Sequence, residues 1–167
     1  MNSQKGFTLI ELIIVIVVLG ILAVTAAPQF INFSSDARES TIKGLEASMK
    51  SAVELSYAKA AINGNLSGEA TVPTNSATVV IAIANGYPKA TEIAKAAGAG
   101  SDWTFAEKTA GSYSGTVTNG VYVGTLTSVA DAGSTATEIE ATNCYITYED
   151  NADDTGKPLP VATISGC

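Results

Sequence analysis

Residues 5–28 read KGFTLIELIIVIVVLGILAVTAAP, and this stretch decides how the N-terminal part of the chain folds. Lys5 and Gly6 precede about 21 nearly unbroken apolar residues, Phe7 to Ala27, with a single acid, Glu11, inside the run. At ~1.5 Å per residue the run makes a helix roughly 31 Å long, enough to cross a bilayer core of ~30 Å. A carboxylate inside such a helix is costly in lipid, so Glu11 is predicted to have a partner or a function.

Two ordinary interpretations of this segment explain it incompletely. A cleaved signal peptide has a basic start, which Lys5 alone supplies weakly, and a small-residue cleavage site, which Ala26 and Ala27 could mark. However, Pro28 follows at once and Glu11 is out of place. A plain signal anchor is allowed by the length, yet it leaves the acid and the sharp boundary after Gly6 unexplained.

A third interpretation rests on five residues that stand in one frame: Gly6, Phe7, Glu11, Gly20 and Pro28. Together with the run GFTLIEL, this frame resembles the type IV pilin family. The resemblance implies that residues 1–6 are a leader, that a prepilin peptidase cuts after Gly6, and that this peptidase/N-methyltransferase methylates Phe7. It also implies that Glu11 pairs with the N-terminal amine of a neighbouring subunit during assembly. Within the family, the stretches ILAVTAAPQFINF, SAVELSYAKAAING and NGYPKAT look most like the mannose-sensitive haemagglutinin (MSHA) major pilins.

The chemistry of the Glu11 pairing can be argued from the residues. Cleavage after Gly6 exposes an α-amine, and since the pKa of such an amine is ~8, it is mostly protonated at neutral pH. Two opposite charges that are each costly in an apolar setting offset much of that cost when they meet, so the pair sets axial register more than it adds stability. An alternative is that Glu11 snorkels to the lipid headgroups, because it lies near the helix start.

The end of the apolar run is the part of the helix that the residues make least stable. Gly20 weakens a helix by about 1 kcal/mol relative to alanine, and Pro28 has no N–H to give to the Val24 carbonyl. The resemblance implies that the helix is lost between Gly20 and Pro28 when the filament assembles. A simple kink with helix on both sides is the alternative.

The chain beyond the apolar run is predicted to remain helical to about Ile62 and to stop at Asn63–Gly64. Its second half has small and apolar residues at spacings of three and four, which predicts a face that packs on a globular head. A separate helix capped by Ser34 or Ser35 is the alternative. The predicted face consists of Ile42, Leu45, Met49, Ala52, Ser56 and Ala60. The predicted parts are residues 1–6 (leader), 7–29 (transmembrane and filament-core helix), 30–63 (amphipathic helix) and 64–167 (head).

The head is predicted to be an antiparallel β-sheet, which makes the fold class α+β: a long N-terminal helix with its apolar half protruding and its amphipathic half packed on the sheet. Residues 91–97 predict a short helix that Thr91 caps and Gly98 ends. Asn119–Gly120 predicts a two-residue hairpin within residues 116–123. Residues 144–149 and 160–165 are predicted strands.

The chain has two cysteines, Cys144 and Cys167, which are predicted to form one disulfide. It would close a loop of about 24 residues and contribute on the order of 3 kcal/mol in the chain-entropy model. Two buried thiols are the alternative.

Composition argues against several classes of function. Histidine is absent, which removes histidine-based triads and most zinc sites. The net charge of −7 argues against nucleic acid as the main partner, because phosphate neutralisation needs a basic face. We expect no catalytic residues, no metal site and no cofactor.

Two features of the head have both a functional and a structural interpretation. The acidic run at residues 149–156 offers Asp150, Asp153 and Asp154 to calcium, but it departs from the EF-hand pattern and is predicted to be a solvated loop. The aromatic residues offer a sugar-stacking surface, but they are predicted to fill the core or cover the sheet. They are Trp103, Phe105, Tyr113, Tyr122, Tyr145 and Tyr148.

The sequence therefore predicts the major structural subunit of a type IV pilus, held in the bacterial inner membrane as a precursor and then polymerised into an extracellular filament for surface attachment. The expected partners are further copies of the chain in a helical homopolymer, the prepilin peptidase, the pilus assembly machinery and surface glycans. The alternatives are a pseudopilin of a type II secretion system, a minor tip pilin that binds carbohydrate or DNA, and an anchored binding domain without a filament.

Overall fold

The structure, a computed structural model, describes residues 6–74, 79–108, 120–151 and 156–167, and of residues 26–32 it describes the backbone alone. The chain forms two compact units, Met1–Ala37 and Arg38–Cys167. The first unit is helical from Leu9 onward, and the second contains the rest of the same helix and every strand of the described residues.

Helix α1 (Leu9–Asn63) has 55 residues and confirms the prediction of one long helix ending near Ile62. The alternative of a separate helix capped at Ser34 or Ser35 is wrong, because the helix has no break there. Asn63–Gly64 ends it as predicted.

The helix end has the geometry of a Schellman motif. Gly64 has a φ of 73°, a backbone conformation that glycine adopts without strain. Its N–H donates to the Ala61 carbonyl at 3.2 Å, and the N–H of Asn65 donates to the Ala60 carbonyl at 2.9 Å. Both bonds satisfy carbonyls that the end of a helix leaves without partners.

The described part of the head forms two antiparallel sheets rather than the single sheet that was predicted. The first has the order β1-β2-β3, with β1 at Glu69–Pro73, β2 at Val80–Ala84 and β3 at Tyr87–Pro88. The second has the order β4-β5-β6-β7, with β4 at Trp103–Lys108, β5 at Val121–Leu126, β6 at Tyr145–Glu149 and β7 at Val161–Thr163. Two short helices are α2 (Ile93–Ala96) and α3 (Ala136–Ala141).

The turn between β2 and β3 explains why the first sheet forms. Asn85 and Gly86 have φ values of 49° and 85°, the left-handed pair that a two-residue hairpin turn requires. The Asn85 side chain accepts the N–H of Gly68 at 2.8 Å and donates to the Asn151 carbonyl at 2.9 Å, so the turn is tied to its surroundings. An Asn-Gly pair after the β-branched run TVVIAIA is a hairpin signal that the sequence analysis overlooked.

The hairpin predicted around Asn119–Gly120 is wrong in its pairing. Strand β5 pairs with β4 on one edge, Val121 opposite Lys108, and with β6 on the other, Val121 opposite Glu149. Both edges of its first residues are thus occupied by distant strands. Residues 116–119, the predicted first arm, lie outside the described residues. The strands predicted at residues 144–149 and 160–165 are confirmed as β6 and β7.

The short helix predicted at residues 91–97 is confirmed in position but not in its cap. A 3-10 turn at Ala90–Glu92 leads into α2, and neither element has a side-chain cap, so the predicted role of Thr91 is wrong. Gly98 follows with a φ of 71°, as predicted for the stop.

The core of the head lies along the predicted face of α1. All six predicted residues are buried, from Ile42 and Ala60 at 0% exposure to Ser56 at 8%. The part around Met49 packs with Ile146 and Tyr148 of β6, and Ala60 packs with residues of β1 and β2. The other face of the second sheet packs on α3, where Ile139 meets Val123.

Candidate functional site

The start of α1 places Glu11 in a hydrogen-bonded cap. Its Oε2 accepts the backbone N–H of Thr8 at 2.9 Å and the hydroxyl of Thr8 at 2.6 Å. The Thr8 hydroxyl in turn accepts the N–H of Glu11 at 3.3 Å, which completes a capping box. The sequence analysis predicted a partner for Glu11 but missed this one, although Thr-x-x-Glu before an apolar run is its recognised signal.

Helix α3 begins with the same device, so the head contains an internal comparison for the start of α1. Thr135 caps α3, and Glu138 Oε2 accepts its N–H at 2.7 Å and its hydroxyl at 2.9 Å. These bonds lower the pKa of Glu138, the backbone bond first and the side-chain bond second. A capping box is therefore a local folding device, and it does not by itself require a second subunit.

The capping box leaves part of the Glu11 carboxylate available. Both Thr8 bonds end on Oε2, and within the described part of the chain no donor is found for Oε1. Gly6 and Phe7 lie just before the cap, and the Phe7 side chain is 85% exposed. An ammonium group arriving from outside the chain can thus bind Oε1 while the cap stays intact, which is chemistry that a carboxylate with two oxygens permits.

The apolar segment that follows is uncovered on every side. From Leu9 to Val24 the large apolar side chains are between 46% and 76% exposed. A helix that is apolar all round is normally buried in protein or lipid, so this surface needs a cover. Within the described residues, no helix meets the combined length and hydrophobicity of a membrane span.

The helix is intact through the stretch predicted to be weak. Residues 20–28 are helical, and a methyl group added at Gly20 would meet no atom within 4 Å, so this glycine is not required by packing within the chain. Loss of helix on assembly stays a prediction, as do the processing at Gly6–Phe7 and the assembly role of Glu11.

The disulfide between Cys144 and Cys167 is present, with an S–S distance of 2.08 Å and a Cα–Cα distance of 4.7 Å. The Cys144 residue is fully buried next to β6. The closing turn is crowded, because a methyl group at Gly166 would lie 2.1 Å from the Thr142 carbonyl oxygen. The disulfide predicted from the two cysteines is confirmed. No pattern in the sequence indicated that Gly166, beside the disulfide, has to be a glycine.

Asp150 has a structural role that the sequence analysis missed. The residue is 8% exposed, and its carboxylate accepts the N–H of Ala90 and the N–H of Gly120, each at 3.0 Å. It therefore joins β6 to two loops instead of lying in a solvated acidic loop. Asp153 and Asp154 lie outside the described residues, and among the described residues no cluster suitable for a metal ion occurs.

Of the six aromatic residues considered for sugar stacking, the five that the structure describes pack in or against the core, as predicted: one is buried and four are half-buried. Tyr148 is 1% exposed and donates its hydroxyl to the Pro88 carbonyl at 2.8 Å. Phe105 and Tyr122 stack with ring centroids 5.5 Å apart, and the Phe105 ring also covers Gly124 of the neighbouring strand. Trp103 packs against the same cluster and Tyr145 against α3. Tyr113 lies outside the described residues.

A protein-family model described as the prokaryotic N-terminal methylation motif matches residues 1–27. The chain is 48% identical over 54 residues to the type IV major alpha-pilin of Moraxella bovis, which is 32% of this chain and 34% of that protein. It is 41% identical over 56 residues to the type IV narrow pilus major component PilA5 of Thermus thermophilus, 34% of this chain and 48% of that protein.

A third relative has the longest stretch of these three. The chain is 42% identical over 79 residues to the type IV major pilin protein PilE1 of Neisseria gonorrhoeae, 45% of this chain and 48% of that protein. The chain thus spans about a third to about a half of the length of the curated relatives it matches. No solved structure matches the chain.

Proposed function

We propose that this protein is a structural major subunit of a type IV pilus that polymerises through its N-terminal helix. The observation that carries the proposal is the uncovered apolar surface of α1 between Leu9 and Val24, which lies within the residues 1–27 that match the N-terminal methylation motif. The relatives named as type IV major pilins support the same conclusion.

Cleavage after Gly6 and methylation of Phe7 would produce the assembling chain. Before assembly, the apolar segment rests in the inner membrane; in the filament, the same segments of neighbouring copies cover one another. Either environment removes the exposed apolar surface from water, which is favourable by ~25 cal/mol per Å². Transfer from membrane to filament exchanges one apolar surrounding for another, so burial alone does not set the register of the subunits.

Glu11 supplies the register in this proposal. The free amine of an incoming Phe7 is positive, and Oε1 of Glu11 is open to a second donor while Oε2 holds the cap. In an apolar surrounding a mismatched position leaves both charges unpaired, which is far more costly than the matched one. The pair therefore selects one axial position of the docking subunit.

The resemblance to the MSHA pilins extends the proposal to surface attachment, with glycans as the ligand class. It rests on the sequence stretches alone. Some described rings are only partly covered, since Trp103, Phe105 and Tyr122 are half-buried and Tyr57 is 37% exposed. The residues that would bind a glycan are not assigned.

The test compares two glutamates with the same cap. Glu11→Gln removes the charge at the start of α1, and Glu138→Gln makes the same change in the capping box of α3, away from the apolar helix. We expect Glu11→Gln to abolish sheared filaments and Glu138→Gln to leave their number unchanged. Thr8→Val, which removes both bonds of the Thr8 hydroxyl but keeps the backbone bond and the acid, should retain filaments.

Mass spectrometry of the sheared material supplies the second half of the test. A chain that starts at methylated Phe7 and dominates long external fibres supports a major pilin. A start at Met1 or near Ala27, or filaments in normal number with Glu11→Gln, overturns the proposal. Absence of long fibres indicates a pseudopilin, and fibres in which the chain is scarce indicate a minor pilin.

A further inference from the structure

Thr25 is the one polar side chain between Glu11 and Pro28 in the printed sequence. The neighbouring apolar side chains are largely uncovered in the single chain, with Leu22 58% and Val24 76% exposed. Once lipid or other copies cover this surface, a hydroxyl there has to find its hydrogen-bond partner within its own helix. Nothing in the proposed function uses this residue.

The hydroxyl has such a partner. Thr25 Oγ1 donates to the Leu22 carbonyl at 3.0 Å and lies 3.5 Å from the Ile21 carbonyl oxygen. In the helical ladder these carbonyls also accept the backbone N–H groups of residues 26 and 25. The hydroxyl therefore shares its acceptor with the backbone, an arrangement that tends to bend helices and weaken them slightly.

The position of this bond along α1 matters. Three residues later, Pro28 leaves the Val24 carbonyl without a backbone donor, and five residues earlier, Gly20 lowers helix stability. Breaking the backbone hydrogen bonds of the helix between these two residues in an apolar surrounding would leave further carbonyls without a donor, each at a high cost in free energy. Thr25 stands inside this stretch with a side-chain donor that reaches the Leu22 carbonyl while residues 22–25 keep their helical turn, whether or not the N–H of residue 26 stays bonded.

We propose that Thr25 is the hinge residue of α1, whose hydroxyl keeps the Leu22 carbonyl hydrogen-bonded when the N–H of residue 26 leaves it. The side chain thereby lowers the cost of opening the helix between Gly20 and Pro28. The filament setting of this inference rests on the proposed function, whereas the hydrogen-bond argument holds equally for the single chain in a bilayer.

Thr25→Val isolates the hydroxyl, because valine has nearly the same shape and helix propensity as threonine. Thr25→Ser keeps the hydroxyl. Val18→Thr, with Thr25 intact, places a second hydroxyl two turns earlier on the same face and serves as the control. Backbone amide hydrogen exchange at residues 21–27 is measured in vesicles of phosphatidylethanolamine and phosphatidylglycerol, and again in sheared filaments.

We expect exchange at residues 21–27 to be about fivefold slower in Thr25→Val, the ratio that the net contribution of one hydrogen bond gives. Thr25→Ser and Val18→Thr should both exchange at the wild-type rate there. Equal rates in Thr25→Val and wild type, or a rate in Thr25→Ser as slow as in Thr25→Val, overturn the hinge. An effect in vesicles together with a wild-type chain that makes no filaments supports the hinge and overturns the proposed function.

Discussion

Asp150→Asn tests whether one buried carboxylate holds three parts of the head together. The two carboxylate oxygens accept the N–H groups of Ala90 and Gly120, each at 3.0 Å, in a residue that is 8% exposed. The backbone N–H of Asp150 also donates to the Gly120 carbonyl at 3.0 Å, a bond that the substitution leaves in place. The variant therefore changes side-chain chemistry at nearly constant shape.

Asparagine keeps one acceptor oxygen and replaces the other by an amide nitrogen that faces an N–H group. One hydrogen bond to a charged acceptor, worth ~1.5–3 kcal/mol, is lost, and the other becomes a weaker neutral bond. We therefore expect the free energy of unfolding to fall by about 2–4 kcal/mol, a large part of the stability of an ordinary domain.

The assay is urea unfolding of the full chain in mild detergent. It is followed by the fluorescence of Trp103, which packs against the core cluster that contains Ala90 and Tyr148. Asp131→Asn is the control, because this carboxylate is exposed, and its effect should stay within about 0.5 kcal/mol. If Asp150→Asn lowers the free energy of unfolding by less than about 1 kcal/mol, the proposed role of the Asp150 carboxylate is refuted, because one neutral hydrogen bond contributes as much.

Three further substitutions probe the disulfide turn, the core and the cap of α3. Gly166→Ala places a methyl group 2.1 Å from the Thr142 carbonyl oxygen and should lower the free energy of unfolding by about 1–3 kcal/mol, measured by thermal unfolding. Gly100→Ala is its control, because the added methyl group meets nothing within 4 Å. Equal unfolding midpoints for the two variants would contradict the crowding at Gly166. Burial raises the pKa of the Tyr148 hydroxyl above its ordinary 10.0, so stability should fall as pH rises above that value, where the unfolded chain releases a proton that the folded chain keeps. Tyr148→Phe should remove this contribution to the loss of stability at alkaline pH. An unchanged dependence of stability on pH would exclude a contribution from Tyr148. The cap holds the pKa of Glu138 below its ordinary 4.5, so the stability it contributes is present above pH 4.5 and is lost as pH falls through the lowered pKa. Glu138→Gln should therefore reduce the loss of α3 stability at acid pH, measured by amide exchange. A loss equal to that of the wild type would show that the cap does not cause it.

The features that sequence reasoning predicted correctly depend on residues close together in the chain. The buried face of α1 recurs at the period of the helix, so Ile42 through Ala60 could be assigned before any partner was known. The helix end at Asn63–Gly64 and the strand alternation of β6 are equally local. The cap between Thr8 and Glu11 is local too, and it was overlooked rather than hidden.

The features that escaped prediction depend on residues far apart. Asp150 bonds a loop 30 residues earlier and a turn 60 residues earlier, and nothing in an acidic run distinguishes a buried carboxylate from a solvated one. The pairing of β5 with β4 and β6, rather than with the segment just before it, replaced the predicted hairpin. The split into two sheets was missed for the same reason, since strand partners are chosen by the whole core.

The sequence by itself determined the long helix, its apolar first half with one acid, its buried second-half stripe and the cysteine pair, because hydrophobic period, helix-end chemistry and residue count act over a few residues. Only the tertiary structure decided that the Asp150 carboxylate is buried and joins two distant segments to β6, and that Gly166 admits no side chain. Those facts depend on which distant backbone groups the fold brings within hydrogen-bonding or van der Waals distance, and no local pattern encodes that choice.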